Sequence, residues 1–163
     1  MQNDPDRLLA RVIGEARALG IPVSRRIRAQ VAVNGRAVGR FGQCRKTPFG
    51  YEIELSERLL AAPERACRQI LAHEVLHTCP GCANHGPRWK DYAARMNAAY
   101  GYEIRRTGDC AELGVPDLRA ARYAVRCTRC GAVLTRQRRS SLIAHPERYR
   151  CRCGGAFAPA DLP

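Results

Sequence analysis

The stretch His73-Glu74-Val75-Leu76-His77, followed by a Pro80-Gly81 break and then by His85-Gly86-Pro87-Arg88-Trp89, decides how this chain is read. A separation of four residues sets His73 and His77 one turn apart on one helix face, within reach of a single ion. Glu74 then projects beside that ion, where it can take a proton from a bound water without entering the coordination sphere. Such a site needs a third ligand, and His85 is the candidate, because the Pro80-Gly81 break ends the helix and lets the chain turn back to the same face. Three of the four histidines fall within 13 residues, which argues against unrelated surface or core histidines. Three neutral imidazoles with an open fourth position are a form in which zinc activates water.

Outward from this motif, Glu64 to Thr78 has no breaker and predicts a helix of about four turns. Ser56 is the expected N-cap of the preceding turn, Glu57 to Leu60. Tyr51, Ile53 and Leu55 alternate as a strand does, after a turn at Thr47-Pro48-Phe49-Gly50. Ala29, Val31 and Val33 alternate too, and Asn34-Gly35 predicts a tight hairpin that returns through Val38 to Phe41. Leu8, Leu9, Val12, Ile13, Ala16 and Leu19 recur at helical spacing until Gly20-Ile21-Pro22. Downstream, Pro87 to Ala99 is helical, with Trp89, Tyr92, Ala93, Met96 and Tyr100 on one side and Gly101 at its end. The fold class expected is α+β: a small antiparallel sheet with the histidine-bearing helix.

At 163 residues, 45% hydrophobic and 26% charged, the chain has apolar material for a core and lacks the composition of a disordered segment. Its 28 Lys and Arg against 15 Asp and Glu leave +13, which points to a polyanionic partner, although an Arg-rich proteome would also produce a basic surface. Residues 119–163 hold ten Arg, one Glu and one Asp, or +8; residues 1–118 hold 18 cations and 13 acids, or +5. The chain therefore divides into a core over 1–118 and a basic module over 119–163. No run of 18 apolar residues and no export signal are present, so the expected location is the cytoplasm, on the nucleoid if the source is bacterial. A monomer is expected.

Nine cysteines without an export signal read as metal ligands and buried thiols rather than a disulfide framework. Cys127 and Cys130, then Cys151 and Cys153, each pair followed by glycine, read as a four-cysteine zinc ribbon, with His145 between the pairs as an alternative ligand. Zinc would stabilise a module with few large apolar side chains. Around it lie Arg136, Arg138, Arg139, Arg148, Arg150 and Arg152, suited to phosphate backbones without sequence readout. One zinc on four thiolates adds −2 and leaves the module at about +6. Cys79 and Cys82 keep several readings open: a second structural metal with Cys110 or Cys44, a redox-sensitive disulfide, two turn thiols, or a thiolate occupying the open zinc position. Cys67 reads as a small core residue. One of Tyr92, Tyr100 and Tyr102 is a candidate to polarise a scissile carbonyl.

The elements His73 to His77 and His85 to Trp89 together resemble the zinc protease core of the SprT-like (Spartan) family, HExxH followed by an HGxx-aromatic element. The strand Ile53-Glu54-Leu55-Ser56 and the Cys-rich basic tail match the family's layout, and the resemblance covers most of residues 7–155. One departure is the second cysteine pair, C-x-C where the family more usually has C-x-x-C. The resemblance implies a zincin-like metalloprotease core, a catalytic zinc on His73, His77 and His85, and Glu74 as general base. It further implies proteolysis stimulated by DNA, single-stranded or distorted, and directed at proteins crosslinked to that DNA. Two zinc ions are expected, one catalytic and one structural, with a third at Cys79 and Cys82 if these bind metal. The alternatives are a non-catalytic nucleic-acid-binding regulator, acting for instance in transcription, and a hydrolase whose substrate is not protein.

Overall fold

Asp4 starts the first helix: its carboxylate accepts from the amides of Asp6 and Arg7, both at 3.1 Å, and Pro5 takes the first helical position. Helix α1 (Pro5–Ala18) buries Leu8, Leu9, Val12 and Ala16 against helix α2 (Glu64–Leu76), which offers Cys67, Ile70, Leu71 and Val75 in return. Each fully buried Leu, Val or Ile stabilises the fold by roughly 1.5–3 kcal/mol. Arg68 on α2 reaches Glu15 on α1 at 3.4 Å, tying the helices at their margin. This computed structural model describes every residue except Met1, Leu118, Ala120 and Pro163. The chain divides into two compact units, Met1–Asp117 and Leu118–Pro163; Leu118, at the expected boundary, lies outside the described residues.

In the first unit, strands β1 (Ala32–Asn34), β2 (Gly42–Thr47) and β3 (Gly50–Ser56) form one sheet in the order β1-β3-β2. Ile53 and Leu55 of β3 are buried, and β2 and β3 lie against α2. The opposite face carries Glu52 and Glu54, paired with Arg28, Arg40 and Arg45. β2 and β3 are antiparallel and joined by the expected Thr47–Gly50 turn.

The tight hairpin expected at Asn34-Gly35 does not form; β1 pairs with β3 in parallel, Ala32 opposite Glu54. Asn34 explains the difference. Its amide nitrogen donates to Glu54 at 3.0 Å and its oxygen accepts from the Arg36 amide at 2.9 Å, so its side chain closes a local turn and Gly35 takes no positive φ. Ser56 takes the expected N-cap position of a short 3₁₀ turn over Glu57–Ala61 but makes no capping hydrogen bond, its hydroxyl donating instead to the Ala37 carbonyl at 3.1 Å.

Helix α3 (Pro87–Tyr100) buries Trp89, Ala93 and Met96 and ends at Gly101, whose φ of 67° is the left-handed cap that glycine allows. Tyr102, Ile104, Leu113 and Val115 then return to the core. The second unit holds strands β4 (Tyr123–Cys127) and β5 (Val133–Arg136), the short helix α4 (Ser141–Ala144) and strand β6 (Phe157–Ala160). Its sheet is antiparallel, ordered β5-β4-β6, over a small core of Val125, Leu142 and Phe157. Among the described residues, no helix is long and apolar enough to cross a membrane.

Candidate metal centres

Helix α2 carries His73 and Glu74 in its last turns, and His77 is its C-terminal cap. Beyond it, Cys79-Pro80-Gly81-Cys82 forms a turn closed by the Cys82 amide on the Cys79 carbonyl at 3.1 Å, with Gly81 at φ 75°. That is the backbone a Pro-Gly pair favours at the centre of a turn. The chain reverses there, and His85 comes back to the other two histidines, so that one ring nitrogen from each lies within 4.8 Å of the others.

The hydrogen bonds of the rings show what this cluster is fit to hold. His73 Nδ1 donates to the Arg105 carbonyl at 2.9 Å and His77 Nδ1 donates to the Cys82 carbonyl at 2.8 Å. A carbonyl only accepts, so both rings carry their proton on Nδ1 and present bare Nε2 lone pairs. Those two Nε2 atoms stand 3.3 Å apart, and His85 Nε2 is 2.9 Å from that of His73. The facing lone pairs of His73 and His77 repel unless a positive group lies between them, and carbonyl-oriented imidazoles are what metal sites use. Burial holds His73 down to about 4, helped by His77 and His85, and burial lowers His85 as well, so both are neutral at physiological pH. The donor set therefore fits zinc.

Trp89 forms the wall behind the imidazoles. Only 2% exposed, its ring centroid lies 4.8, 5.7 and 4.5 Å from those of His73, His77 and His85. Sequence spacing shows it as a packing residue of α3; its contact with all three rings comes from the fold. Glu74 is also buried, and burial raises its carboxyl to about 7 against the opposing pull of the Cys44 amide and Arg40. Gly42 closes the seat: a β-carbon there would fall 2.8 Å from Glu74 Oε1 and 2.9 Å from Ile70 Cγ2. Gly42, Cys44 and the Arg105 carbonyl are parts of the site that sequence reading misses, and a glycine opening a strand is their one sequence trace. The cleft over the site, about 590 Å³, is lined by Lys46 and Tyr51 as well as by the histidines and Glu74.

Other expected residues lie elsewhere. Tyr100 and Tyr102 donate their hydroxyls to the Glu15 backbone carbonyl and side-chain carboxylate, which commits them to α1 rather than to a substrate carbonyl. Tyr92 packs at the edge of the core, and Cys67 is fully buried within it. Cys79 and Cys82 are buried, and burial drives the Cys79 thiol up to about 12 and raises that of Cys82, which disfavours the thiolate. Among the described residues neither joins a cluster of three metal-ligating side chains, with Cys44, Cys110 or any other group.

In the second unit Cys127, Cys130, Cys151 and Cys153 converge, their sulfurs all within 4.8 Å. Cys127 and Cys153 Sγ are 3.5 Å apart and Cys130 and Cys151 Sγ 3.6 Å, too far for a disulfide and near the roughly 3.8 Å edge of a tetrahedron built on zinc–sulfur bonds of about 2.3 Å. The Cys130 amide, against the effect of burial and with help from the Arg129 amide, lowers the Cys127 thiol, whereas, against the Gly155 amide, the Cys130 and Cys127 sulfurs raise that of Cys153, so the four sulfurs do not all ionise easily without a cation among them. Gly154, at φ 81°, gives the C-x-C knuckle its tight reversal. His145 stands apart, 3.4 Å from Glu147. Arg136, Arg138, Arg139, Arg148, Arg150 and Arg152 are all exposed.

The chain is a mixed α+β protein with two groups that could hold metal, three histidines beside a buried glutamate and a separate set of four cysteines. The chain belongs to the SprT-like family, a metalloprotease-like family whose model matches residues 18–108. Comparison with curated proteins gives no match.

Proposed function

We propose that this chain is a zinc-dependent metallopeptidase of the zincin kind that acts on proteins bound or crosslinked to DNA, with the four-cysteine ribbon holding the nucleic acid. The observation that carries the reading is the convergence of His73, His77 and His85 nitrogens beside the buried carboxylate of Glu74. Zinc, when bound by the three histidines, would supply the Lewis acidity that polarises a peptide carbonyl and acidifies water.

The remaining work falls to the chain's own groups. Glu74 is fixed by the Cys44 amide and the absence of a side chain at Gly42, so its carboxylate is oriented before substrate arrives. It takes a proton from the attacking water and returns it to the leaving amine. β2 is an edge strand beside the cleft, so an extended substrate segment can lie along it. The exposed arginines of the ribbon contact phosphates and confer no sequence preference, so specificity comes from tethering to DNA.

Glu74→Gln tests the catalytic role. The variant should keep its zinc and lose cleavage of a DNA-bound protein by about a hundred- to ten-thousandfold. Undiminished proteolysis would refute the general-base assignment. Single-stranded DNA should stimulate the wild type, and Arg138→Ala with Arg139→Ala should remove much of that stimulation.

A further inference from the structure

The ribbon is not the only strongly basic part of the chain. Residues 16–51 contain seven Arg and one Lys and no Asp or Glu, whereas the rest of residues 1–118 holds 10 cations against 13 acids. The positive charge of the first unit therefore comes entirely from this stretch. Arg28, Arg40 and Arg45 are answered by Glu52 and Glu54. Arg25 and Lys46 make no ion pair among the described residues, and Arg26 directs its guanidinium at backbone carbonyls, which leaves its charge unneutralised.

At the tip of the β2–β3 hairpin, three residues after Lys46 and with its carbonyl held by Arg26, Phe49 is 87% exposed. A lone exposed apolar side chain needs no explanation, but this one sits on a backbone held from several sides. The Arg26 guanidinium donates to the Phe49 carbonyl at 3.2 Å and to the Pro48 carbonyl at 3.1 Å. Thr47 Oγ1 accepts from the Phe49 amide at 3.2 Å and donates to the Gly50 carbonyl at 3.3 Å. The Tyr51 amide bonds the Arg26 carbonyl at 2.8 Å, and Gly50, at φ 141°, lies so close to that carbonyl that a β-carbon would overlap it. The ring is thus carried on an ordered turn, with no carboxylate in the hairpin before Glu52.

A flat apolar ring on an ordered turn, flanked by unneutralised cations, has the chemistry of a stacking platform for an unpaired nucleobase, with cations placed for the adjoining phosphates. An acidic peptide would satisfy the cations but has no planar face for the ring. We propose that the β2–β3 hairpin is a single-strand nucleic-acid contact on the first unit itself, with Phe49 stacking on a base and Arg26 and Lys46 facing the adjoining phosphates. The inference extends the reading that the chain works on DNA, and it names a contact separate from the ribbon.

The test uses the full zinc-loaded chain and measures anisotropy of labelled oligothymidylate and of a blunt duplex, with polyglutamate as competitor. Because Phe49 is exposed, Phe49→Ala should leave the melting temperature unchanged. It should weaken oligothymidylate binding by about five- to a hundredfold and leave duplex binding alone, and Phe49→Trp should restore affinity. Lys46→Ala should lower the slope of log affinity against log salt by about 0.7. Photocrosslinking through iododeoxyuridine should label the peptide containing residue 49. Wild-type affinity in Phe49→Ala, crosslinks confined to residues 119–163, or equal loss of polyglutamate binding would overturn the proposal while leaving the ribbon's role intact. If wild type binds no oligonucleotide at all, the DNA reading falls and this contact with it.

Discussion

His77 Nδ1 donates to the carbonyl of Cys82 at 2.8 Å, so the turn that carries the chain from the second histidine to the third also sets the tautomer of the second. That turn depends on Gly81 at φ 75°, a conformation that costs a residue with a β-carbon roughly 1–2 kcal/mol. Gly81→Ala should loosen the carbonyl's hold and weaken zinc at the histidine site by about tenfold or more. Titration with a chromophoric chelator should show this change with the four-cysteine site unaffected; an unaltered histidine site would mean that the Cys82 carbonyl does not orient His77.

Trp89 is the only tryptophan, and its ring is 4.5 Å from that of His85. A paramagnetic ion such as Co²⁺ at the three histidines should therefore quench most of the protein's tryptophan fluorescence, whereas zinc should not. His85→Ala should abolish the quenching at low cobalt. Full quenching in that variant would put the ion elsewhere.

Gly42 has no space for a side chain against Glu74 and Ile70. In Gly42→Ala either β2 or the Glu74 carboxylate must move, at about 1–3 kcal/mol of stability. If Glu74 is the base, peptide cleavage should fall by more than the loss of folded protein explains, with zinc content unchanged. The comparison needed is turnover per zinc-loaded molecule, wild type against variant.

Val125, Leu142 and Phe157 make too small a core to hold the second unit without its metal. Chelation should abolish hydrogen-exchange protection over residues 123–160 while amides of α2 stay protected. Persistence of protection in β4 after complete metal removal would show that the apolar core suffices.

Hydrogen bonding to Arg40, reinforced by Asn34 and opposed by burial, holds Glu54 below its ordinary value of 4.5. A carboxylate depressed on folding contributes stability that is fully present above that ordinary value and is lost as pH falls through the depressed one. Glu54→Gln should thus be less stable than wild type near about pH 6, and the gap in urea midpoint should narrow progressively as pH falls below 4.5. A gap independent of pH would assign the difference to packing.

Much of this arrangement was legible locally. The spacing of Leu8, Val12 and Ala16 marks α1, and the four-residue step from His73 to His77 puts both rings on one helical face, because helix pitch is a property of the backbone alone. Pro80-Gly81 and Gly101 announce a reversal and a helix end for the same reason: their φ preferences are intrinsic.

What lay beyond the sequence depends on groups far apart along the chain. Asn34-Gly35 has the local form of a hairpin, yet Glu54, twenty residues on, claims the Asn34 side chain, and β1 pairs in parallel with β3 instead. His73 finds its carbonyl at Arg105, Glu74 finds its amide at Cys44 and its clearance at Gly42, and Trp89 meets three imidazoles rather than only the core. The sequence by itself determined which side chains could serve and the local geometry that pairs them. Only tertiary packing decided how each is oriented, because a hydrogen-bond partner or a close backbone approach exists only once distant segments are brought together.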